Sequence, residues 1–237
     1  MKQFLLLVLA TVLVVNSEAQ SIFDKAKKTF SKNTSNVTEE EAGFGVKEAL
    51  NNGISSAVSF LNKPDAFFKN DLYKVLLPPE AKKMEKTLRD IGMGKMADDA
   101  IEAINRGAED AVGYATPIFV DAIRQMTVTD ALKLVTGGKN SITEFFRSKT
   151  SAKLKEAFMP VINNSLEKTN ATKYYGDAVN QYNKVPLVKK MNPDLADHVA
   201  EKTLFALFDR IAVEETNIRN NPAARTSDLL KKVFGGK

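Results

Sequence analysis

Along most of this chain apolar residues recur three and four positions apart, the period of a helix with one face turned inward. Leu50, Ile54, Ala57, Val58 and Leu61 form such a stripe. Thr38 followed by Glu41 has the form of a capping box, so the pattern predicts a helix from there to about Leu61, ended by Pro64. Residues 65–77 are apolar but mixed in period, and they predict a short helix followed by an extended connector. Pro79 suits the first position of the next helix, which should run to about Ile91 and break at Gly92-Met93-Gly94.

A longer pattern follows from about Lys95 to Ala115, with Ile101, Ile104, Ala108, Ala111, Val112 and Ala115 inside. Thr116-Pro117 is expected to interrupt it, and Ile118 to Met126 to resume. Thr127 with Asp130 reads as an N-cap and its third helical position, opening a helix that stops at Gly137-Gly138. Ser141 with Glu144 repeats that device through Arg147. Further helices are expected over 151–168 and 170–182. The longest pattern begins at Asn192-Pro193 and runs to about Asn217, and Thr226 or Ser227 caps a last short helix. No hairpin signal and no fixed repeat is visible. The expected fold class is all-α, a single multi-helix bundle over residues 38–237 with no significant sheet.

The first nineteen residues are of a different kind. Lys2 precedes an apolar run from Phe4 to Val15, and Ser17 and Ala19 supply small residues for cleavage after Ala19, which fits a secretory signal. The run is too short to span a bilayer, which needs about twenty residues, and no second one follows. The expectation is an exported protein, periplasmic or extracellular, with no transmembrane segment in the mature chain. Residues 20–37 are polar and Lys-rich, and read as a linker or a short amphipathic helix carrying Ile22, Phe23, Ala26 and Phe30.

With 43% hydrophobic and 27% charged residues the chain has a globular composition. It contains no Cys, so neither disulfides nor a lipidated cysteine is available and packing alone must hold the fold. The net charge of +5 is scattered over the chain with no aromatic-interleaved basic run, so no nucleic-acid partner is expected. An envelope lipid, polymer or protein remains a possible partner.

The common catalytic signatures are missing. A single histidine, His198, without cysteine makes no ordinary zinc site, and no Gly-x-Ser-x-Gly turn is present. Gly137-Gly138-Lys139-Asn140-Ser141 lacks the first glycine, the final Ser or Thr placement and the preceding strand of a phosphate loop, and reads as a helix end. No cofactor and no metal is expected.

Polar groups on the inner stripes are more informative. Asn105 lies between Ile101 and Ala108, Glu109 is one turn further on, and Arg106 is placed to meet Glu102 or Asp110. On the C-terminal helix, the face of Leu204, Leu207, Phe208 and Ile211 continues into Glu215, with Arg219 and Arg225 beyond. A charge in such a place must be paired, because an isolated buried charge costs several kcal/mol. The expectation is one shared polar network or ligand site among Asn105, Arg106, Glu109, Arg147, Glu215, Arg219 and Arg225.

The same segments carry a resemblance. KEALNNGISSAV at 47–58, INRGAEDA at 104–111, Pro117-Ile118-Phe119 through MTVTDAL at 117–132, and EETNIRNNPAARTSDLLKKVFG at 214–235 resemble the bacterial envelope family known as domain of unknown function 4197, over about residues 42–236. Gly107 departs from the Ala usual in that pattern, as does the stretch 141–147, while Asn105, Arg106, Glu109 and Arg147 are kept. The resemblance implies an exported helical domain and supplies no activity. A non-catalytic binding or structural role in the envelope is therefore the leading expectation, and an apolar cavity lined by Phe and Met would favour a ligand. The alternative is a carboxylate-based hydrolase or lyase with Glu109 and Glu215 as acid and base, which needs both carboxyls about 5–9.5 Å apart in one cleft.

Overall fold

The computed structural model describes residues 38–168, 170–184, 186–187 and 190–221. The segments 1–19 and 20–37, Arg225 and the helix expected after Thr226 or Ser227 lie outside them. Among the described residues the regular structure is entirely helical: α1 Glu39–Leu61, a 3-10 turn Pro79–Ala81 leading into α2 Lys82–Asp90, α3 Gly94–Val112, α4 Ala115–Gln125, α5 Val128–Thr136, α6 Ser141–Glu167, α7 Ala171–Tyr182 and α8 Leu195–Asn220. The all-helical bundle expected from the periodicity is the observed architecture.

The packing centres on α6, which lies between α3 and α8; α1 covers α8, α4 and α5, and α2 leans on α3. Phe119 of α4, Phe146 of α6 and Phe208 of α8 meet at the centre, all fully buried or nearly so. Phe119 stands edge-on to both partners, with centroids 5.5 Å from Phe146 and 6.3 Å from Phe208. Such pairs add about 0.5–1.5 kcal/mol to the apolar burial itself. At the α3–α6 crossing, a Cβ on Gly107 would come within 3.0 Å of Ser165 Cβ and 3.4 Å of the Ile162 backbone. The glycine that departs from the family pattern thus sits where two helices approach closely.

The capping box at Thr127 and Asp130 is formed in full, the Thr127 hydroxyl accepting from the Asp130 amide and the carboxylate accepting from the Thr127 amide. Gly92 ends the α2 region in the left-handed conformation (φ +79°), as the glycine break suggested.

Four expectations need correction. The break before α4 falls at Gly113-Tyr114, and Thr116-Pro117 lies inside its first turn, where a missing N–H costs nothing because first-turn amides have no intrahelical acceptor. Ser141 is the first residue of α6 rather than its cap; Asn140 precedes it with φ 67° and makes no side-chain cap. That helix runs unbroken from Ser141 to Glu167 through Pro160. Pro160 and Glu156, four residues before it, are both exposed, so the carbonyl freed by the proline is on the water side. Finally, residues 65–77 contain no helix but a succession of turns followed by an extended piece.

Candidate functional site

The turns after α1 begin at Pro64, and Asp65 adopts a left-handed backbone (φ 69°) that breaks any helical path from α1. Two consecutive amides, Phe67 and Phe68, then have no helical carbonyl to meet. Glu109 of α3 supplies the acceptor: its Oε1 takes the Phe67 N–H at 3.0 Å and the Phe68 N–H at 3.2 Å. Its Oε2 accepts from Arg106 Nη1 at 2.8 Å. Arg106 reaches on to Asp65 at 2.8 Å and to Glu102 at 3.3 Å, and lies over the Phe68 ring at 5.2 Å. Glu109, and after it Asp65, hold the Arg106 guanidinium above its ordinary value. Lys69 and Arg106 hold the Asp65 carboxyl below its own.

One turn earlier on α3, Asn105 is fully buried and uses both ends of its amide on a single residue. Its oxygen accepts the Val75 N–H and its nitrogen donates to the Val75 carbonyl, both at 2.8 Å. A second donation reaches Ile101 O at 2.7 Å. The side chain thereby pairs with the Val75 backbone as a neighbouring strand would, in a segment that belongs to no sheet among the described residues.

From the other side α8 completes the hold. Tyr73 donates its hydroxyl to Asp209 Oδ2 at 2.9 Å, and burial together with that carboxylate pushes the phenol up to about 12. His198 Nε2 lies 3.2 Å from the Leu76 carbonyl. Burial keeps this imidazole below its ordinary value, against the smaller upward pull of that hydrogen bond.

Glu215 of α8 stands in a second, separate cluster. Its Oε1 accepts the Ile142 N–H at 3.3 Å, and its Oε2 accepts the Thr143 N–H at 3.0 Å and the Thr143 hydroxyl at 2.8 Å. These amides belong to the first turn of α6, so a carboxylate from a distant helix caps α6 in place of Ser141. Arg219, one turn on, binds Glu215 Oε1 through Nε at 3.0 Å. Its other nitrogens donate to Val135 O at 3.0 Å and Leu134 O at 2.8 Å in the last turn of α5, and to the Ser141 hydroxyl at 2.8 Å. One ion pair on α8 therefore places negative charge at the start of α6 and positive charge at the end of α5, each complementing a helix dipole.

The structure brings Arg106 to Glu109, with Asn105 one turn away on the same helix, and Arg219 to Glu215. The single shared network does not form, because each carboxylate is occupied by backbone amides and by the arginine on its own helix. Arg147 belongs to neither cluster: it bonds Glu144 at 3.4 Å and lies 4.7 Å over the Phe208 ring. Arg225 is outside the described residues. Glu109 and Glu215, the acid and base of the hydrolase alternative, share no hydrogen-bond partner among the described residues, and each lies in a different cluster. Asp65, Tyr73, Asp209 and Thr143 were not singled out from sequence; Tyr73 and Asp209, and Thr143 and Glu215, lie more than seventy positions apart, and for Asp65 only the i,i+4 spacing to Lys69 is local, while its bond to Arg106 spans forty-one positions.

The geometry defines a class: an all-helical bundle whose buried polar groups secure backbone that the helices leave unsatisfied. A family model described as "Protein of unknown function (DUF4197)" matches residues 36–235, and the chain belongs to that family. No curated protein and no solved structure matches it. Among the described residues no helix is long and apolar enough to cross a membrane, and no cluster of three or more His, Cys, Asp or Glu is placed to hold a metal ion.

Proposed function

We propose that this is an exported, non-catalytic binding protein of the cell envelope whose recognition surface is the segment 62–78 together with the adjoining face of α8. One observation carries the reading. Along 72–77 exposure alternates residue by residue: Tyr73, Val75 and Leu77 are buried, while Leu72, Lys74 and Leu76 face water. Leu72 is 67% exposed and Leu76 54%.

An irregular connection of this length is uncommon in a folded domain unless it serves function, and recognition residues are concentrated on loops that a rigid scaffold positions. Here the scaffold is explicit. Glu109, Asn105, Asp209 and His198 each fix one part of the segment, so its outward leucines are presented in one conformation. On α8 the stripe His198, Lys202, Phe205 and Asp209 lies one turn apart at each step, and its two ends bind Leu76 and Tyr73. Exposed Phe205 lies on that stripe, between the two residues that bind the segment. Phe60, half-exposed, shares an open concavity with Leu72. Apolar side chains gathered on one surface mark an interaction site. Export rests on the Lys2, Phe4–Val15 and Ser17–Ala19 pattern.

A photo-crosslinking residue introduced at Leu72 or Leu76 in the native host tests the surface. One discrete adduct is expected from these positions and none from exposed Glu144. Equal labelling from all three, or none from either leucine, sinks the reading. N-terminal sequencing of the purified native protein tests export, with Gln20 expected first; a chain retained with Met1 in the cytoplasm would overturn that half.

A further inference from the structure

We infer that the outer face of α1, from Glu48 to Lys63, docks a second copy of this chain, laid antiparallel about a two-fold axis between Ser55 and Ser56. No charged residue occurs from Ala49 to Asn62, fourteen positions in a chain that is 27% charged. Burial does not account for this, because Asn52, Ser55, Ser56 and Ser59 are exposed. On α2 the exposed positions carry Lys82, Lys83, Lys86, Arg89 and Asp90 within nine residues. Where α8 borders the α1 face, Arg210 and Glu214 neutralise each other at 2.6 Å, and Arg210 lies 4.2 Å over the Phe60 ring.

The charges at the two ends of the run select the partner. Glu48, Asn52, Ser55, Ser59 and Lys63 follow one another at three or four positions and share one side of the helix. Lys63 lies just past Leu61, and the Asn62 amide still bonds the Val58 carbonyl at 2.8 Å, so the helical course reaches almost to it. Glu48 precedes Ser55 by seven positions, and Lys63 follows Ser56 by seven. Neither makes an ion pair with any described residue. In an antiparallel pair, Glu48 of each copy therefore meets Lys63 of the other. A two-fold interface sets residues near the axis against their own copies, where like charges repel. An uncharged centre with opposite charges placed symmetrically about it is what one sequence needs to pair with itself; a different protein would require no such symmetry. Phe44, one turn before Glu48 and 58% exposed, extends the face. The pairing carries it past Lys63 of the second copy, toward the open concavity lined there by Phe60, Pro64 and Ala66.

The face is about 22 Å long, less than a standard interface offers, so a reversible dimer with a dissociation constant of about 10–100 µM is expected. Sedimentation velocity of the purified protein at low salt, from about 5 to about 500 µM, tests it. Ser55→Arg, which sets like charges across the axis, should weaken the dimer about tenfold or more. Glu48→Lys and Lys63→Glu should each weaken it about fivefold. An equimolar mixture of these two variants should recover wild-type affinity, because both end pairs are then complementary. All three positions are exposed, so circular dichroism should show the helical fold unchanged. A chain that stays monomeric throughout overturns the inference. So does a dimer indifferent to Ser55→Arg, or a mixture that associates no more tightly than its components. This inference goes beyond the recognition surface proposed above: Leu76 lies outside the α1 face, so its crosslinked adduct is expected unchanged in Ser55→Arg, and the two proposals fail separately.

Discussion

Glu109 and Glu215 are buried to nearly the same degree, 4% and 3% exposed, and each accepts two consecutive backbone amides and pairs with an arginine on its own helix. What they secure differs. Glu215 and Arg219 join regular elements, the end of α5 and the start of α6, and Arg219 is sheltered, with its side chain 11% exposed. Glu109 holds an irregular segment, and its partner Arg106 is 34% exposed. The same side-chain chemistry is a global staple in one place and a local clamp in the other. The surroundings of the arginine, not the burial of the carboxylate, decide which it is.

The largest expected effect is therefore at Glu215. Glu215→Ala removes the carboxylate that binds the sheltered Arg219 guanidinium and leaves two first-turn amides of α6 uncapped; a loss of about 4 kcal/mol is expected. Urea denaturation measures it, and a loss below about 1 kcal/mol would show that the pair is not the staple described. Glu109→Ala is expected to cost less, about 2–3 kcal/mol, because Arg106 can turn to water and keep Asp65 and Glu102. Its signature should be local: faster hydrogen exchange at Phe67 and Phe68, with the amides of Ile142 and Thr143 unchanged. Because the clusters share no partner, the double variant should equal the sum of the singles within about 0.5 kcal/mol. Strong coupling would reunite the two regions in a single network.

Asn105 sharpens the contrast further within the clamp. Asn105→Ala removes three hydrogen bonds and leaves the Val75 amide and carbonyl unpaired in the interior, for an expected loss of about 2 kcal/mol. Asn105→Asp restores the acceptor and not the donor, so it should not recover the loss. If it behaved as wild type, the two-ended pairing with Val75 would be refuted.

How much of this could be read from the chain follows from how far each signal travels. The helices declare themselves through neighbours three and four apart, and the Thr127–Asp130 box is complete within four residues. The buried polar positions Asn105, Glu109 and Glu215 were legible for the same reason, as interruptions of an apolar stripe. Their partners were not. A side-chain stripe shows where a carboxylate is buried, but not which backbone amides a distant turn leaves without acceptors. Ser141 illustrates the cost: its spacing to Glu144 looks like a local cap, yet α6 is capped by Glu215, seventy-odd positions away. The mixed period of 65–77 was a true signal of irregularity. The short helix assigned to it fails at Asp65, whose positive φ is not written in composition.

The smallest expected effect concerns the third anchor of the clamp, His198. Its imidazole is held below the ordinary 6.5, first by burial and then by Lys202, while the Leu76 carbonyl, Glu201 and Glu80 pull the other way. Between the lowered folded value and 6.5 the unfolded chain binds a proton that the folded chain refuses. Stability from this group is thus complete above about pH 6.5 and declines as pH falls toward the folded value, with a slope of at most about 1.4 kcal/mol per pH unit. The chain has no other histidine and no cysteine, so the effect can be isolated. Denaturation midpoints of wild type should fall from about pH 7 to about pH 5.5 more steeply than those of His198→Gln, which cannot take up the proton. Parallel slopes would remove His198 from the account. If the clamp is local, acidification should also raise hydrogen exchange along 72–77 before it reaches Ile142 and Thr143, because the histidine touches the segment and not the α5–α6 junction.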